Sequence, residues 1–243
     1  MTQLISAQEL FTGNHWISEA VIEITDGKIT AIKKENYDHQ NAFSIVVPAL
    51  IDLQIYGAGG KLLSEFPEAS TIQLIYEYCV AGGAAYFQPT IASQSNDIIM
   101  AAIKAVKDYK IGGGQGCMGL HIEGPWINPI KKGAHNEAVI HSPNLDEVRA
   151  ILDYGAADIG MITVAPEVCS KEIIDLIQSK GIVVSAGHTN ADYSTAMSFF
   201  DNGIKVATHL YNAMSPLQHR APGVVGALLN NSRAMCSLVA DGY

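Results

Sequence analysis

Seven short apolar runs of strand character recur between residues 46 and 240, and helix-like patterns separate most of them. Strands that alternate with helices predict a parallel sheet, because each helix returns the chain to start the next strand beside the last. A closed (β/α)8 barrel of the TIM type needs an eighth strand to pair with the first. The sequence therefore predicts an α/β fold, a TIM-type barrel that is incomplete at seven strands. The predicted strands are Val46–Ile55, Ala84–Pro89, Cys117–Glu123, Gly160–Ala165, Ile182–Gly187, Ile204–His209 and Cys236–Ala240.

Residues 1–47 have a different pattern from the rest of the chain. Trp16–Ile24 and Lys28–Lys33 both alternate between apolar and polar residues, and Asp26-Gly27 between them is a strong signal for a two-residue hairpin turn. We therefore expect residues 1–47 to form a small β domain and residues 48–243 to form the barrel. The clearest barrel helices are predicted at Thr71–Val80, Asp97–Tyr109, Lys171–Ser179 and Ala191–Phe200.

Charge and composition exclude several classes of partner. The formal net charge of −9 leaves no basic surface to replace the counterions of nucleic-acid phosphates. No stretch approaches the roughly 18 apolar residues that span a bilayer, and the N-terminus lacks a secretory pattern. We expect no nucleic acid, no membrane association and a cytoplasmic location. The four cysteines form no CxxC pair and are predicted to be buried thiols; they are Cys79, Cys117, Cys169 and Cys236.

One acid and two histidines each end an apolar run of strand character. Each residue taken singly has an alternative to metal binding: Glu123 could form a salt bridge, and His188 and His209 could be hydrogen-bonded structural histidines. In a barrel the carboxyl ends of the strands meet at one face, so the three side chains can converge. A carboxylate and two imidazoles with an open position suit a hydrolytic Zn²⁺ or Fe²⁺. His121 and His219 are expected to be structural, because adjacent strand residues point to opposite faces.

The motifs around these residues resemble one family over essentially the whole chain. They are similar to the N-acetylglucosamine-6-phosphate deacetylases of the amidohydrolase superfamily. This resemblance implies that residues 1–47 are the N-terminal part of a small β-sandwich domain and that residues 48–243 are a metal-dependent hydrolase barrel that lacks the last strand. The motifs are Glu123-Gly-Pro-Trp126, Lys131-Lys-Gly-Ala-His135, Gly187-His188-Thr189, Thr208-His209-Leu-Tyr-Asn212-Ala-Met214, Arg220-Ala-Pro-Gly223 and Ala240-Asp-Gly242.

The resemblance also implies how many metal ions the chain holds. Many amidohydrolases carry His-x-His at the end of the first barrel strand, where it binds a second metal. Here Gln54 and Tyr56 occupy those two places, and neither is a good metal ligand. The implied cofactor is one divalent ion per chain, zinc or iron, held by Glu123, His188 and His209.

The substrate residues are likewise implied by the resemblance. His135 would hydrogen-bond the acetyl carbonyl of the substrate and help to stabilise the oxyanion. Ala134, Asn212 and Ala213 would line the site for a small amino-sugar phosphate. Arg220 would be the bidentate partner of the phosphate. Because the equivalent arginine in the family can reach the pocket of the partner subunit, a homodimer is implied.

The implied reaction is hydrolysis of the N-acetyl group of N-acetylglucosamine 6-phosphate to glucosamine 6-phosphate and acetate. The family uses an Asp at the end of the eighth strand as general base, and these 243 residues do not include it, since Asp241 belongs to the preceding strand-end motif. We therefore expect the parent enzyme to be the deacetylase and this chain alone to be inactive. Two alternatives stay open: an amidohydrolase for another N-acetyl sugar phosphate or a cyclic amide, and an inactive metal-binding fragment.

Overall fold

The computed structural model describes residues 1–242, and Tyr243, the last residue of the predicted barrel range, lies outside the described residues. The chain forms two compact units, Met1–Leu50 and Ile51–Tyr243. Their boundary lies close to the one predicted after residue 47. The assignment of the two ranges to a β-sandwich domain and a hydrolase domain stays a prediction.

The unit Met1–Leu50 is built on a four-stranded sheet. Its strands are β1 (Thr2–Phe11), β2 (Trp16–Thr25), β3 (Lys28–Lys33) and β4 (Phe43–Val46). They lie in the order β3-β2-β1-β4, with β4 parallel to β1 and the other pairs antiparallel. Asp26 and Gly27 both have positive φ, as a type I′ turn requires, so the predicted hairpin of β2 and β3 is confirmed. One small cluster buries Ala7, Leu10, Ala20 and Ile22.

The unit Ile51–Tyr243 alternates strands with helices. The strands are β5 (Leu50–Ile55), β6 (Gly57–Ala58), β7 (Lys61–Leu62), β8 (Ala84–Ile91), β9 (Leu120–Glu123), β10 (Ile159–Val164), β11 (Val183–Ala186), β12 (Val206–Ala207) and β13 (Met235–Cys236). The helices are α1 (Ala69–Ala81), α2 (Asn96–Ile111), α3 (Leu145–Gly155), α4 (Lys171–Ser179), α5 (Tyr193–Asp201) and α6 (Gly223–Asn230). Within residues 1–242, no helix has both the length and the apolar character that a bilayer crossing demands.

Seven of these strands form one sheet in the order β13-β12-β11-β10-β9-β8-β5. The pairs from β8 to β13 are parallel, and spatial order follows chain order. This is the predicted incomplete (β/α) barrel. Because neighbouring strands run in one direction, the carboxyl ends of β9, β11 and β12 lie at the same edge of the sheet. Segments that follow these ends can therefore converge.

The predicted strand Val46–Ile55 is wrong as a single element. Val46 ends β4, Leu50 begins β5, and residues 47–49 separate the two strands. Pro48 has no N–H for a ladder hydrogen bond and restricts the residue before it, so the apolar run breaks there. Leu50 and Ile51 are also 60% and 52% exposed.

A glycine contact between β9 and β10 gives the first prediction. Gly119 precedes β9 with φ +106°, and a Cβ placed there would lie 2.6 Å from the backbone nitrogen of Gly160 in β10. Gly181 has φ +78° with no neighbouring atom within 4 Å, so it is a matched control for backbone strain alone. We expect Gly181→Ala to lower the free energy of unfolding by about 1 to 2 kcal/mol and Gly119→Ala to lower it by about 2 kcal/mol more. Urea unfolding measures both, and equal losses would contradict the close contact.

Candidate metal centre

Glu123, His188 and His209 meet at the carboxyl edge of the barrel sheet. Glu123 is the last residue of β9, and each histidine lies two residues beyond the end of β11 or β12. Their exposed fractions are 0%, 5% and 7%. The Oε1 atom of Glu123 lies 3.2 Å from Nε2 of His188 and 3.1 Å from Nε2 of His209, and the two Nε2 atoms are 3.1 Å apart. The structure therefore brings the three predicted ligands into one triangle.

The size of this triangle fits a divalent metal ion. Nitrogen and oxygen ligands at about 2.0 to 2.2 Å from a tetrahedral ion lie roughly 3.3 to 3.5 Å from each other. The three atoms of the triangle are within a few tenths of an ångström of that spacing. One carboxylate oxygen and two imidazole nitrogens are also a donor set that suits zinc or ferrous iron.

The other ring nitrogens of the two histidines face backbone carbonyls. Nδ1 of His188 lies 2.7 Å from the carbonyl oxygen of Lys131, and Nδ1 of His209 lies 3.0 Å from that of Asn212. A carbonyl only accepts, so each Nδ1 carries the proton and donates it. Each neutral ring consequently presents the lone pair of Nε2 to the centre, which is the arrangement of a metal-ligating histidine.

His135 is also buried in this cluster, but its donor and acceptor nitrogens are exchanged relative to those of His188 and His209. Its Nε2 lies 3.2 Å from Oε2 of Glu123, and its Nδ1 accepts a 3.1 Å hydrogen bond from the backbone N–H of Ser93. The neutral ring therefore has its proton on Nε2 and acts as a donor. Glu123, His135 and His188 have ligand atoms within 4.8 Å of one another and form a possible metal group by distance alone. Hydrogen-bond direction favours His209 over His135 as the third ligand.

Gln54 and Tyr56 hold the carboxylate of Glu123. The amide of Gln54 donates to Oε1 of Glu123 at 2.7 Å and to the hydroxyl of Tyr56 at 2.6 Å, and that hydroxyl donates to Oε2 of Glu123. The sequence excluded both residues as ligands but did not predict this role. Their i, i+2 spacing at the end of β5, with Tyr56 just beyond its last residue, was the available signal, because residues two apart in an extended segment share one face.

The surroundings of Glu123 fix its charge state. Burial raises the pKa of Glu123, whereas its contacts with the three histidines, of which His135 donates a hydrogen bond, lower it, and the net shift is downward. Burial and the charge of Glu123 raise the pKa of Tyr56 far above its usual range. Glu123 is thus an ionised acceptor, and Tyr56 stays a neutral donor beside it.

His121 lies inside the barrel, two residues before Glu123 on β9. The expectation that it points away from the ligand strand's inner face is wrong, since residues two apart on a strand share a face. Its Nδ1 lies 2.9 Å from the carbonyl oxygen of Leu53, and its Nε2 lies 2.7 Å from the hydroxyl of Thr163. Burial lowers the pKa of His121. His219, by contrast, is exposed.

The predicted substrate residues lie on loops, and most of them are exposed. Ala134, Asn212 and Arg220 are exposed, and Ala213 is half-buried with φ +46°. Two hydrogen bonds connect Asn212 to His209. The backbone N–H of Asn212 donates to the carbonyl of His209 at 2.9 Å, and the carbonyl of Asn212 accepts from Nδ1 of the His209 ring.

Arg220 lies in a groove of about 490 Å³ that includes Asn190, Tyr193 and Gln218. None of the three metal-ligand candidates lines this groove. The groove that contains Arg220, the predicted partner of the substrate phosphate, is therefore not formed by the metal centre of the same chain.

Comparison with known proteins gives a consistent set of relatives, although no family model matches the chain. Human N-acetylglucosamine-6-phosphate deacetylase is 37% identical over 210 residues, which are 82% of this chain and 51% of that protein. The N-acetylgalactosamine-6-phosphate deacetylase of Shewanella sp. (strain ANA-3) is 30% identical over 244 residues, which are 96% of this chain and 61% of that protein. The structure of N-acetylglucosamine-6-phosphate deacetylase from Pasteurella multocida matches all of this chain and 65% of its own, with a TM-score of 0.88 and 29% identity.

This chain belongs to the N-acetylglucosamine-6-phosphate deacetylase family. A further member, a variant from Mycobacterium smegmatis in complex with N-acetyl-D-glucosamine-6-phosphate, matches 98% of the chain and 63% of its own with a TM-score of 0.83 and 25% identity. The resemblance that the sequence indicated is confirmed. The chain spans between 51% and 65% of the length of the curated relatives it matches.

Glu167 is a residue of this deacetylase-family chain that the sequence did not single out. It follows β10, and its carboxylate accepts three hydrogen bonds: from the Asn128 amide at 3.0 Å, the Thr189 hydroxyl at 2.7 Å and the Asn190 backbone N–H at 2.8 Å. Asn128 follows the Glu123 strand, and the other two donors follow His188. Glu167 thus joins the two loops that begin at metal-ligand candidates. Its place just after a barrel strand was the signal that could have found it.

The hydrogen bonds by which Glu167 connects the two loops give the second prediction. Glu167→Gln replaces one acceptor oxygen with a donor, so we expect the free energy of unfolding to fall by about 1 to 3 kcal/mol. Glu172→Gln, the same substitution at an exposed position in α4, is the control and should change it by no more than about 0.5 kcal/mol. Urea unfolding of both variants measures the difference. Equal stability of the two would show that the three hydrogen bonds contribute nothing.

Proposed function

We propose that the parent enzyme of this chain is a metal-dependent deacetylase that hydrolyses the N-acetyl group of N-acetylglucosamine 6-phosphate. The convergence of Glu123, His188 and His209, with both Nε2 lone pairs directed at one point, is the observation that carries the proposal. The family of the chain supports the reaction class. The name of the Mycobacterium smegmatis complex supports the substrate class.

In this proposal one divalent ion per chain, zinc or iron, is held by Glu123, His188 and His209. When bound, such an ion supplies a Lewis acid that acidifies a water molecule and polarises a carbonyl group. The protein's own contribution is electrostatic. Gln54 and Tyr56 donate hydrogen bonds that orient the Glu123 carboxylate toward the centre and favour its ionised form.

His135 is proposed to bind the acetyl oxygen of the substrate. Its Nε2–H is directed into the cluster because the Ser93 N–H occupies Nδ1. A fixed donor at that point stabilises the negative charge that develops on the oxygen as the amide is attacked. Ala134, Asn212 and Ala213 are proposed to line the remainder of the sugar site, and a cytoplasmic location remains part of the proposal.

The choice between hexosamines is made by assay. The relatives include enzymes named for N-acetylglucosamine 6-phosphate and for N-acetylgalactosamine 6-phosphate. We expect the full-length parent enzyme, supplied with Zn²⁺ or Fe²⁺, to release acetate from the glucosamine derivative with the higher kcat/KM. A preference for the galactosamine derivative would replace the proposed substrate and retain the reaction class.

The third prediction concerns metal stoichiometry. Glu123→Ala, His188→Ala and His209→Ala should each abolish binding of the single ion, because each removes one of three ligands. His135→Ala should keep one ion per chain, since its ring donates rather than ligates, and in the parent enzyme it should also abolish deacetylation. Elemental analysis after dialysis measures the metal, with exposed His141→Ala as the control. Two tightly held ions per chain, or loss of the ion in His135→Ala, would contradict this assignment.

The fourth prediction concerns the phosphate. Arg220 is exposed and lies in a groove that none of the metal-ligand candidates lines, which supports a homodimer in which it serves the site of the partner subunit. In the parent enzyme, Arg220→Ala should raise KM for the phosphorylated substrate more than KM for its non-phosphorylated analogue, because a charge-assisted contact is lost. The difference should correspond to roughly 2 to 3 kcal/mol of binding free energy. Steady-state kinetics with both substrates measures this. Equal effects on both would contradict phosphate recognition by Arg220, and a monomer by light scattering would contradict the dimer.

A further inference from the structure

Four hydrogen bonds form a continuous buried chain across the interior of the barrel. Ser185 pairs with Thr208 at 2.7 Å, Thr208 with Thr163 at 2.7 Å, Thr163 with Nε2 of His121 at 2.7 Å, and Nδ1 of His121 with the carbonyl of Leu53 at 2.9 Å. The four side chains are at most 2% exposed. We name Ser185, Thr208, Thr163 and His121 together the polar layer.

A single carbonyl fixes the direction of every hydrogen bond in the polar layer. The carbonyl of Leu53 only accepts, so Nδ1 of His121 donates and its Nε2 accepts in the neutral ring. The hydroxyl of Thr163 must therefore donate to His121 and accept from Thr208. Thr208 in turn accepts from Ser185. Each hydroxyl has one proton, so none of these bonds can reverse without breaking its neighbour.

The polar layer joins the strands that present the metal centre. Leu53 precedes Gln54 on β5, His121 lies two residues before Glu123 on β9, and Thr208 directly precedes His209. Two of its hydrogen bonds connect segments whose strands are not neighbours in the sheet: Thr208, which directly follows β12, with β10, and β9 with β5. The layer thus spans the interior directly behind the ligands.

Such a layer is unusual for a barrel interior. Branched apolar side chains dominate these layers in TIM-type barrels, and they pack without any hydrogen-bond partner. Buried hydroxyl and imidazole groups cost free energy unless each finds a partner. A fully satisfied network specifies one arrangement, because a displaced strand leaves a donor or acceptor unpaired. An apolar layer tolerates small displacements without that cost.

We propose that the polar layer positions the metal ligands, by fixing the strands of Glu123 and His209 relative to each other. This inference rests on the proposed function, since it concerns the metal site proposed there. Thr208 is its central member because it joins two hydrogen bonds and adjoins His209. The hydroxyl of Thr208, rather than its shape, should therefore determine how well the centre binds a metal ion.

A pair of substitutions at Thr208 tests the layer. Thr208→Val keeps the branched shape and removes the hydroxyl, and Thr208→Ser keeps the hydroxyl. Thr71→Val is the control, because the Thr71 hydroxyl is equally buried but has no hydrogen-bond partner among the described residues. Zn²⁺ affinity is measured on the purified protein by competition with a chromophoric chelator, together with the visible spectrum of Co²⁺ and the melting of the metal-free protein.

We expect Thr208→Val to weaken Zn²⁺ binding about tenfold and to change the Co²⁺ spectrum, as loss of groups that orient metal ligands does. Thr208→Ser should stay within about twofold of the unsubstituted protein, as should Thr71→Val. A role in stability alone would lower the melting temperature of Thr208→Val and leave affinity and spectrum unchanged, which would overturn the inference.

Two further outcomes are distinguishable. If Thr208→Val does not fold, Ser185→Ala, which removes only the first donor of the chain, should still weaken Zn²⁺ binding several-fold, and unchanged affinity there would overturn the inference. An unsubstituted protein that binds no metal would overturn the proposed function and this inference together. Tight binding in the unsubstituted protein and in all the variants would overturn this inference alone.

Discussion

The buried carboxylate of Glu123 is the constraint on which the centre depends. A fully buried charge is expensive to desolvate, and it persists only where its partners compensate for that cost. Gln54, Tyr56 and His135 supply part of the compensation by donating hydrogen bonds, and a cation held together with His188 and His209 would supply the rest. The barrel must therefore bring together β5, the loop after β9 and the ends of β11 and β12 before this charge can be accommodated.

The backbone decides which imidazoles can ligate. His188 and His209 are anchored through Nδ1 by carbonyl groups, whereas His135 is anchored by an N–H group. Three rings that are nearly equivalent by distance thus separate into two potential ligands and one donor. The backbone conformation of the loops, and not the residue type, therefore determines which histidine can ligate and which donates.

Sequence periodicity predicted much of this arrangement. The limits of α4 were predicted as Lys171–Ser179, as observed, because its apolar residues recur at helical spacing; in the structure the side chain of Ser170 caps its first turn. Strand-end position gave the convergence of Glu123, His188 and His209. The break between β4 and β5 at Pro48 was not predicted, because apolar residues on both sides of Pro48 make the sequence resemble one continuous strand. Strand β1 was missed because the sequence of Thr2–Phe11 does not alternate cleanly. Contacts such as those of Glu167 depend on loop paths that no local pattern encodes.

The backbone of His188 and His209 is left-handed, with φ values of +48° and +43°. This conformation costs a residue with a Cβ roughly 1 to 2 kcal/mol, and glycine almost nothing. At both positions, what is best for the folded chain differs from what is best for holding a cation. A search for more stable variants that ignores the metal would favour glycine or asparagine there and would erase the centre. Thermostability and chemistry are opposed at these two residues, so they should be held fixed when this barrel is engineered.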